Sequence, residues 1–320
     1  MNITVCIVVC YWGSWPWYLP FFLLSAARNN GIDFLIFTDN EQPLLPYPNI
    51  HFHKLNLSDF LTHASAMLGF PVHFTNPYKV CDFKPLYGFL FRDYLKDYDY
   101  WGYCDPDIIF GDIQPFIREH LSSKVDALSS YSEFISGPFT LYRNKTRINE
   151  LFRLSPGYQK SLRDEVYRSF DENASRENIT GFSFSKLLYF FGFAARHLFH
   201  RNGRPVTWKE LQYQFQCSYK KHKADKNNPV DITEVVYTEA RKKNINARFL
   251  PLMITEPALY RKNKHDWSYR WQNGKLTDLS TGKEVFAFHF QESKGKEDFA
   301  VPTEIKDRPF TITVKGIYYE

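Results

Sequence analysis

Residues 101–112 read WGYCDPDIIFGD, and the way this stretch is taken decides the fold. Tyr98–Cys104 reads as a strand, aromatic from Tyr100 on, that stops at Asp105, Pro106 and Asp107, after which the chain returns to Ile108-Ile109-Phe110. In extended backbone, residues i and i+2 point to the same side, so both carboxylates can aim at one point at the carboxyl end of a strand. The chain supplies its own control, because Asp97-Tyr98-Asp99 has the same spacing but follows Lys96 in a polar stretch and reads as a solvated helix exit. Two acids held together near an interior repel unless a cation lies beside them, and oxygen ligands with open positions suit Mg2+ or Mn2+. The bland alternative, in which one aspartate caps the next helix and the other is solvated, stays open at this level.

Working outward, Ile3–Cys10 is a continuous β-branched run without alternation, the pattern of a strand buried on both faces. It ends in a loop at Tyr11-Trp12-Gly13-Ser14, and Trp17–Asn29 reads as a helix entered through Pro16 and ended by Gly31. Asp33–Thr38 is a second buried strand closing on Asp39-Asn40, and Asn49–Leu55 is a third. Helices are expected at Asp59–Leu68, Asp82–Tyr94 and Ile113–Leu121, with strands at Ala127–Ser130 and Phe139–Arg143. From about residue 145 charged, helix-prone segments dominate, and Trp267–Phe290 returns to strands with a hairpin turn at Asn273-Gly274. The sum is an α/β protein. No repeat, low-complexity tract or long linker divides it, so one domain is expected over 1–295, with a helical, basic and aromatic insertion at about 145–250, then a C-terminal extension at 296–320.

A chain of 320 residues can bury a substantial core, and 44% apolar with 18% aromatic content rules out global disorder. The 30 Phe and 21 Tyr suit sites where flat rings stack on sugars or bases, and a bulky core accounts for them equally well. A net charge of +5, with no dense Lys/Arg tract, argues against a nucleic-acid partner. Cys6, Cys10, Cys81, Cys104 and Cys217 are scattered without a CxxC pair, which fits free thiols in a reducing cytosol better than zinc or a disulfide framework. The N-terminal MNITVCIVVCYWG lacks a basic start and a cleavage site. Neither it nor Leu187–Phe193 is long enough to span a bilayer, so the expected location is cytoplasmic.

Strand 3–10, Asp39 at the next strand end and Asp105-Pro106-Asp107 at a later one together resemble a glycosyltransferase of the GT-A fold. More narrowly, KVCDFKPLYG, WGYCDPDIIFGDI, SGPFTLYRN and FAFHFQ resemble bacterial glycosyltransferase-like proteins encoded among surface-polysaccharide genes, over residue 3 to about 293. The resemblance implies a central mixed sheet flanked by helices that binds a nucleotide-sugar, with Asp105 and Asp107 as the metal pair and Asp105 close to the donor. By resemblance to glycogenin and to bacterial lipooligosaccharide galactosyltransferases, His289 completes the metal site, and an imidazole ligand favours Mn2+ over Mg2+. A lone histidine in an apolar strand is equally consistent with a core residue. Tyr11, Trp12 and Gly13 match the loop that holds base and ribose, and Asp39 matches an acid that binds one of them. Gly137 lies in a strand flanking the acceptor and would let the donor sugar approach the backbone.

Lys79 and Asp82 share a helical face, so the resemblance has them pairing while they reach toward the ligand; Lys84, near a helix start before Pro85, would face the diphosphate. A structural ion pair is the other account of Lys79 and Asp82. The remaining carboxylates, Asp171 and Glu172, would supply a base for the acceptor hydroxyl in an inverting enzyme, or bind acceptor hydroxyls in a retaining one. The late histidine and the layout lean toward retention.

The implied function is a metal-dependent glycosyltransferase, a hexosyltransferase using a UDP-sugar and a glycan or lipid-linked acceptor in bacterial surface polysaccharide biosynthesis. Lys186–Lys226 mixes basic and aromatic residues, and its Leu187–Phe199 portion would give a peripheral contact with the inner face of an anionic membrane. An ordinary helical subdomain with a solvated basic face fits it as well. A nucleotidyltransferase would carry a glycine-rich, basic loop after the first strand, which YWGSWPW is not. A hydrolase needs carboxylates far enough apart to flank a glycosidic bond, and neighbours on one strand are too close. A non-catalytic carbohydrate-binding protein with a structural ion site is the remaining alternative.

Overall fold

The β-branched run near the start of the chain forms β1, Val5–Tyr11, and the site is laid out from it. In the computed structural model, which describes residues 3–43, 47–122, 124–132, 134–172, 231–256 and 266–320, β1 pairs in parallel with β2 (Ile32–Thr38), whose far edge carries β3 (Ile50–Lys54). On its other side β1 pairs in parallel with β4, Tyr100–Cys104. The sheet continues through β7 (Phe139–Arg143), antiparallel to β4, then β6 (Ala127–Ser129) and β8 (Ala247–Phe249), in the order β3-β2-β1-β4-β7-β6-β8. This is the expected α/β class with a central mixed sheet.

Burial of β1 on both faces explains its sequence. Cys6 and Val8 pack with Phe60, Ala64 and Leu68 of α2 (Leu57–Leu68), while Val5, Ile7 and Val9 pack with α1 (Leu19–Ala27) on the other side. Asn56 caps α2 by accepting from Asp59 N at 2.8 Å, and Gly69 closes it at φ 75°, a conformation glycine adopts without strain. All of α1 but Pro20 is buried, because Phe21 and Leu24 face a third apolar cluster behind the helix.

That cluster belongs to two smaller sheets. β5 (Ile108–Phe110) leaves the main sheet just after the aspartates and pairs antiparallel with β13 (Ala287–His289), which is parallel to β9 (Met253–Thr255). The other sheet has the order β12-β11-β10-β14-β15, with β10 at Ser268–Gln272, β11 at Lys275–Asp278, β12 at Lys283–Glu284, β14 at Phe310–Thr313 and β15 at Gly316–Tyr319. Asn273 and Gly274, both at positive φ, make the tight turn between β10 and β11. Residues 296–320, set apart in the sequence as an extension, thus contribute β14 and β15 to the sheet that 268–284 begins.

The single helix expected over Asp82–Tyr94 is a correction. The structure has a 3-10 segment at Pro77–Leu86 followed by two one-turn helices, Tyr87–Leu90 and Arg92–Leu95. Pro85 lacks the N–H that an α-helix would use and disfavours α geometry at Lys84. The control aspartate pair is also put to structural use, since Asp99 Oδ2 accepts from Thr4 N at 3.0 Å and ties the starts of β1 and β4 together. Within 145–250 the described residues form short helices at Thr146–Asn149 and Tyr158–Arg163 and a longer one at Ile232–Arg241. The basic, aromatic segment Lys186–Lys226 and Cys217 lie outside the described residues. Among the described residues no helix is long and apolar enough to cross a membrane.

Candidate active site

β1 and β4 run in parallel and end at one edge, and the antiparallel β7 starts there. Asp105 N donates to Pro138 O at 3.0 Å, so the aspartate turn is held beside Gly137-Pro138. A pocket of about 620 Å³ opens at this edge, lined by Tyr11, Trp12 and Gly13 from the end of β1, by Asp105 to Asp107, and by Gly137, Asp171, Glu172, His289 and Lys294. Ligands of open α/β sheets gather at such strand ends.

The second sheet completes the aspartate pair. The antiparallel register sets His289 opposite Ile108, and Phe290 N donates to Asp107 O at 2.9 Å, which places the imidazole next to Asp107. Asp105, Asp107 and His289 offer ligand atoms that all lie within 4.8 Å of one another. Asp107 and His289 are almost fully buried, at 4% and 3% exposure. Each carboxylate gives one oxygen to a lysine: Lys84 Nζ is 2.5 Å from Asp105 Oδ1, and Lys294 Nζ is 2.5 Å from Asp107 Oδ2. The other two oxygens face the imidazole, with His289 Nε2 at 3.1 Å from Asp107 Oδ1 and 3.9 Å from Asp105 Oδ2. Asp107 Oδ1 and the imidazole therefore converge on one buried point. This donor set, two carboxylate oxygens and one nitrogen, fits a divalent cation.

Electrostatics support the same use. Burial opposes ionisation of Asp107, but His289 and Lys294 beside it outweigh that and lower its pKa to about 2. Burial also opposes the charge on Lys84, yet Asp105 and Asp171 raise its pKa well above the ordinary lysine value. The thiols that line the pocket behave oppositely: burial pushes Cys10 up to about 12 and raises Cys81 and Cys104, which disfavours the thiolate at all three.

Lys84 links this group to a second one. Its ammonium is also 3.5 Å from Asp171 Oδ2 and donates to Gly137 O at 3.0 Å. Asp171 and Glu172 are buried at 1% and 5% exposure despite their polar sequence context, and the Tyr167 hydroxyl lies 2.9 Å from Asp171 Oδ1 and 3.3 Å from Glu172 Oε1. Burial, with Glu172 adding to it, raises the Asp171 pKa well above the usual carboxylate value, against the pull of Lys84.

The structure also places the other residues singled out in the sequence. Gly137 lines the pocket, and the carboxyl groups of Asp171 and Glu172 lie about 3 Å from where a Cβ would stand, so the glycine makes room for the acid pair. Lys79 and Asp82 do pair, at 2.7 Å, but they do not line the pocket. Lys79 Nζ donates to Ser161 O and Val166 O, and Asp82 accepts from Arg168 N and Phe170 N at 2.7 Å, so the pair fastens the segment that carries Tyr167, Asp171 and Glu172. Asp39 is exposed and outside the pocket; its neighbour Asn40 instead holds the β1 loop through a 2.7 Å bond to Gly13 O. Trp12 is pinned in the core by a 2.7 Å bond to Leu55 O and by packing on Phe60, while Tyr11 stacks on Trp15.

Three residues of the site carry no local sequence signal. Lys294 reaches Asp107 across 187 residues of chain. Tyr167 is one tyrosine among 21. Glu256, fully buried, accepts from the N–H groups of Gln291, Glu292 and Ser293 at 2.8, 2.6 and 2.9 Å and from the Ser293 hydroxyl, which fixes the loop between His289 and Lys294.

Fold and site thus define a mixed α/β protein with a strand-end pocket able to hold a divalent cation. The chain belongs to the family of unknown function DUF6625, whose model matches residues 7–189. No curated protein matches it. Among solved structures it is similar to the galactosyltransferase LgtC in complex with donor and acceptor sugar analogues, at 14% identity and TM-score 0.33, covering 50% of this chain and 66% of that one, a little under two thirds. An active-site mutant of LgtC gives 12% identity and TM-score 0.33, covering 66% of this chain and 83% of that one. The apo-form glycosyltransferase GlyE of Streptococcus pneumoniae TIGR4 gives 12% identity and TM-score 0.31, covering 80% and 68%.

Proposed function

We propose that the protein is a metal-dependent glycosyltransferase that moves a hexose from a UDP-sugar to a glycan or lipid-linked acceptor of a bacterial surface polysaccharide, acting at the cytoplasmic face of the membrane with its catalytic residues inside 1–295. The observation that carries this reading is Lys84, whose single ammonium touches both Asp105, at 2.5 Å, and Asp171, at 3.5 Å. A cation-binding group and a buried carboxyl pair therefore share one pocket, the two functions a sugar transfer needs.

Asp105, Asp107 and His289 would hold the cation, with Mn2+ preferred to Mg2+ because of the imidazole. Bound there, it supplies Lewis-acid neutralisation of the charge that develops on the diphosphate. Lys84 and Lys294 add fixed positive charge beside the same oxygens. Tyr11 and Gly13, at the exposed end of β1, would take the nucleoside. The acceptor hydroxyl oxygen bonds to the anomeric carbon as the bond from that carbon to phosphate oxygen breaks, and its electron pair leaves with the nucleoside diphosphate. In an inverting course the hydroxyl proton would pass to Asp171, whose raised pKa suits a proton acceptor. In a retaining course it would leave on the departing phosphate oxygen while Asp171 and Glu172 bind the acceptor hydroxyl. Attack on the face that phosphate leaves retains configuration, the expected outcome, and the anomeric signal of the product by NMR checks it.

The direct test is the thermal shift of the purified protein with UDP, GDP, CMP and dTDP, each with and without Mn2+. A ligand at about a hundred times its Kd adds roughly 2.7 kcal/mol, which raises Tm by several degrees. A Mn2+-dependent shift with UDP that is absent in Asp107→Ala is the expected result. No shift with any nucleotide in a folded sample would overturn the donor site and favour a non-catalytic carbohydrate-binding protein.

A further inference from the structure

Through Lys84 the pocket continues into a wall made by two tyrosines. The rings of Tyr78 and Tyr167 meet edge to face, 4.9 Å between centroids and 76° between planes. Tyr78 is 55% exposed, whereas Tyr167 is half-buried and turns its hydroxyl into the Asp171–Glu172 pair. Both rings line the same pocket as the cation-binding residues.

The two rings are fixed to each other through the backbone. Tyr78 sits in the first turn of the 3-10 segment Pro77–Leu86, where Asn76 Oδ1 accepts from Tyr78 N at 3.0 Å. The same segment carries Lys79 and Asp82, which bind Val166 O at 2.8 Å and Arg168 N at 2.7 Å, the peptide groups on either side of Tyr167. A buried ion pair that takes no part in lining the pocket thus clamps one ring against the other.

We infer that Tyr78 and Tyr167, with Asp171 and Glu172, form the acceptor subsite, which takes a pyranose whose C–H face lies on the exposed ring and whose hydroxyls point to the carboxylates. This deepens the glycosyltransferase reading and rests on it. A pyranose has one apolar face and a rim of hydroxyl donors, which matches an exposed ring beside acceptor-only groups. The two ends of the pocket also sort their ligands by charge. The lysines, with the cation that the trio would hold, draw an anionic diphosphate, while the acid pair repels it and leaves that end to a neutral sugar. Lys84, shared between Asp105 and Asp171, sets the two ends side by side.

Saturation-transfer NMR with methyl α- and β-glycosides of glucose, galactose and N-acetylglucosamine, in the presence of UDP and Mn2+, tests the subsite. Wild type is expected to give a saturable signal with at least one glycoside. Tyr78→Ala should weaken that binding roughly tenfold, about the value of one aromatic contact. Tyr167→Phe, which keeps the ring but loses the hydroxyl, should bind the same glycoside less tightly while near-UV circular dichroism stays native. In both variants the shift of Tm by UDP and Mn2+ should be that of wild type. An equal glycoside signal in Tyr78→Ala overturns the subsite. So does the absence of any glycoside signal in wild type that still binds UDP and Mn2+, and so does a Tyr78→Ala that loses the nucleotide shift, because the ring would then belong to the donor. A glycoside signal lost in Tyr78→Ala, in a protein that shows no nucleotide shift at all, would support the subsite and sink the donor reading alone.

Discussion

At Gly137 the absence of a side chain has a measurable value. A Cβ there would stand 3.0 Å from Asp171 Oδ2 and 3.2 Å from two atoms of the Glu172 carboxyl group, and both acids are too buried to swing away. Gly137→Ala should therefore displace the acid pair, lowering stability by about 1–3 kcal/mol, the usual cost of overpacking, and Tm by a few degrees. Transfer activity should fall more than stability does, which comparing turnover with thermal unfolding will show. Asp171 itself sets a pH dependence. Lys84, Glu172, Tyr167 and Asp82 surround it, and burial raises its pKa well above the usual carboxylate value. Only the ionised group accepts a proton or a hydrogen bond from the acceptor hydroxyl, so kcat/KM should drop as pH falls through that raised pKa, at a higher pH than an ordinary aspartate would give. Asp171→Asn should lose this acid limb and about 10²–10⁴ in kcat, measured across a pH–rate profile.

Among the elements, the segment 77–86 organises the pocket wall. Asp82 is fully buried and satisfies Lys79 and two backbone N–H groups of the Tyr167 segment. Removing one partner of a buried ion pair strands the other, so Asp82→Ala should cost about 3–5 kcal/mol in denaturant unfolding, a size that exposed pairs do not reach. The core strands are legible in the sequence because parallel strands covered on both faces are near-continuously apolar, as Val5–Tyr11 and, within Ile32–Thr38, the run Phe34–Phe37 are. The segment 77–95 is not legible, because its helical composition conceals the break that Pro85 imposes. The aspartate pair and His289 stand out as residue types at strand ends. Tyr167, Glu256 and Lys294 do not, because what defines them is a contact across many residues of chain rather than a spacing within it. Asp171 and Glu172 stand in a polar stretch of sequence, and it is tertiary contact with Gly137, Tyr167 and Lys84 that encloses them.

For the whole molecule, the last strands are part of the core rather than an appendage. Phe310 and Ile312 are fully buried and Ile317 is 2% exposed, and the Phe310 ring stacks on Trp271 at 5.1 Å. Burying each such side chain contributes about 1.5–3 kcal/mol, so the three together approach the net stability of a typical domain, about 5–15 kcal/mol. A chain truncated after Pro309 should lose its near-UV circular dichroism and aggregate, because Tyr269 and Trp271 would be uncovered. The order in which the chain is made has its own consequence. Asp107 and its lysine partner are separated by 187 residues, and β13 brings His289 to Ile108 only after the residues between them exist. Contacts of such separation close late and slowly. A nascent chain on the ribosome carries both aspartates long before it carries their histidine, so the three side chains can meet only after residue 289 has been made.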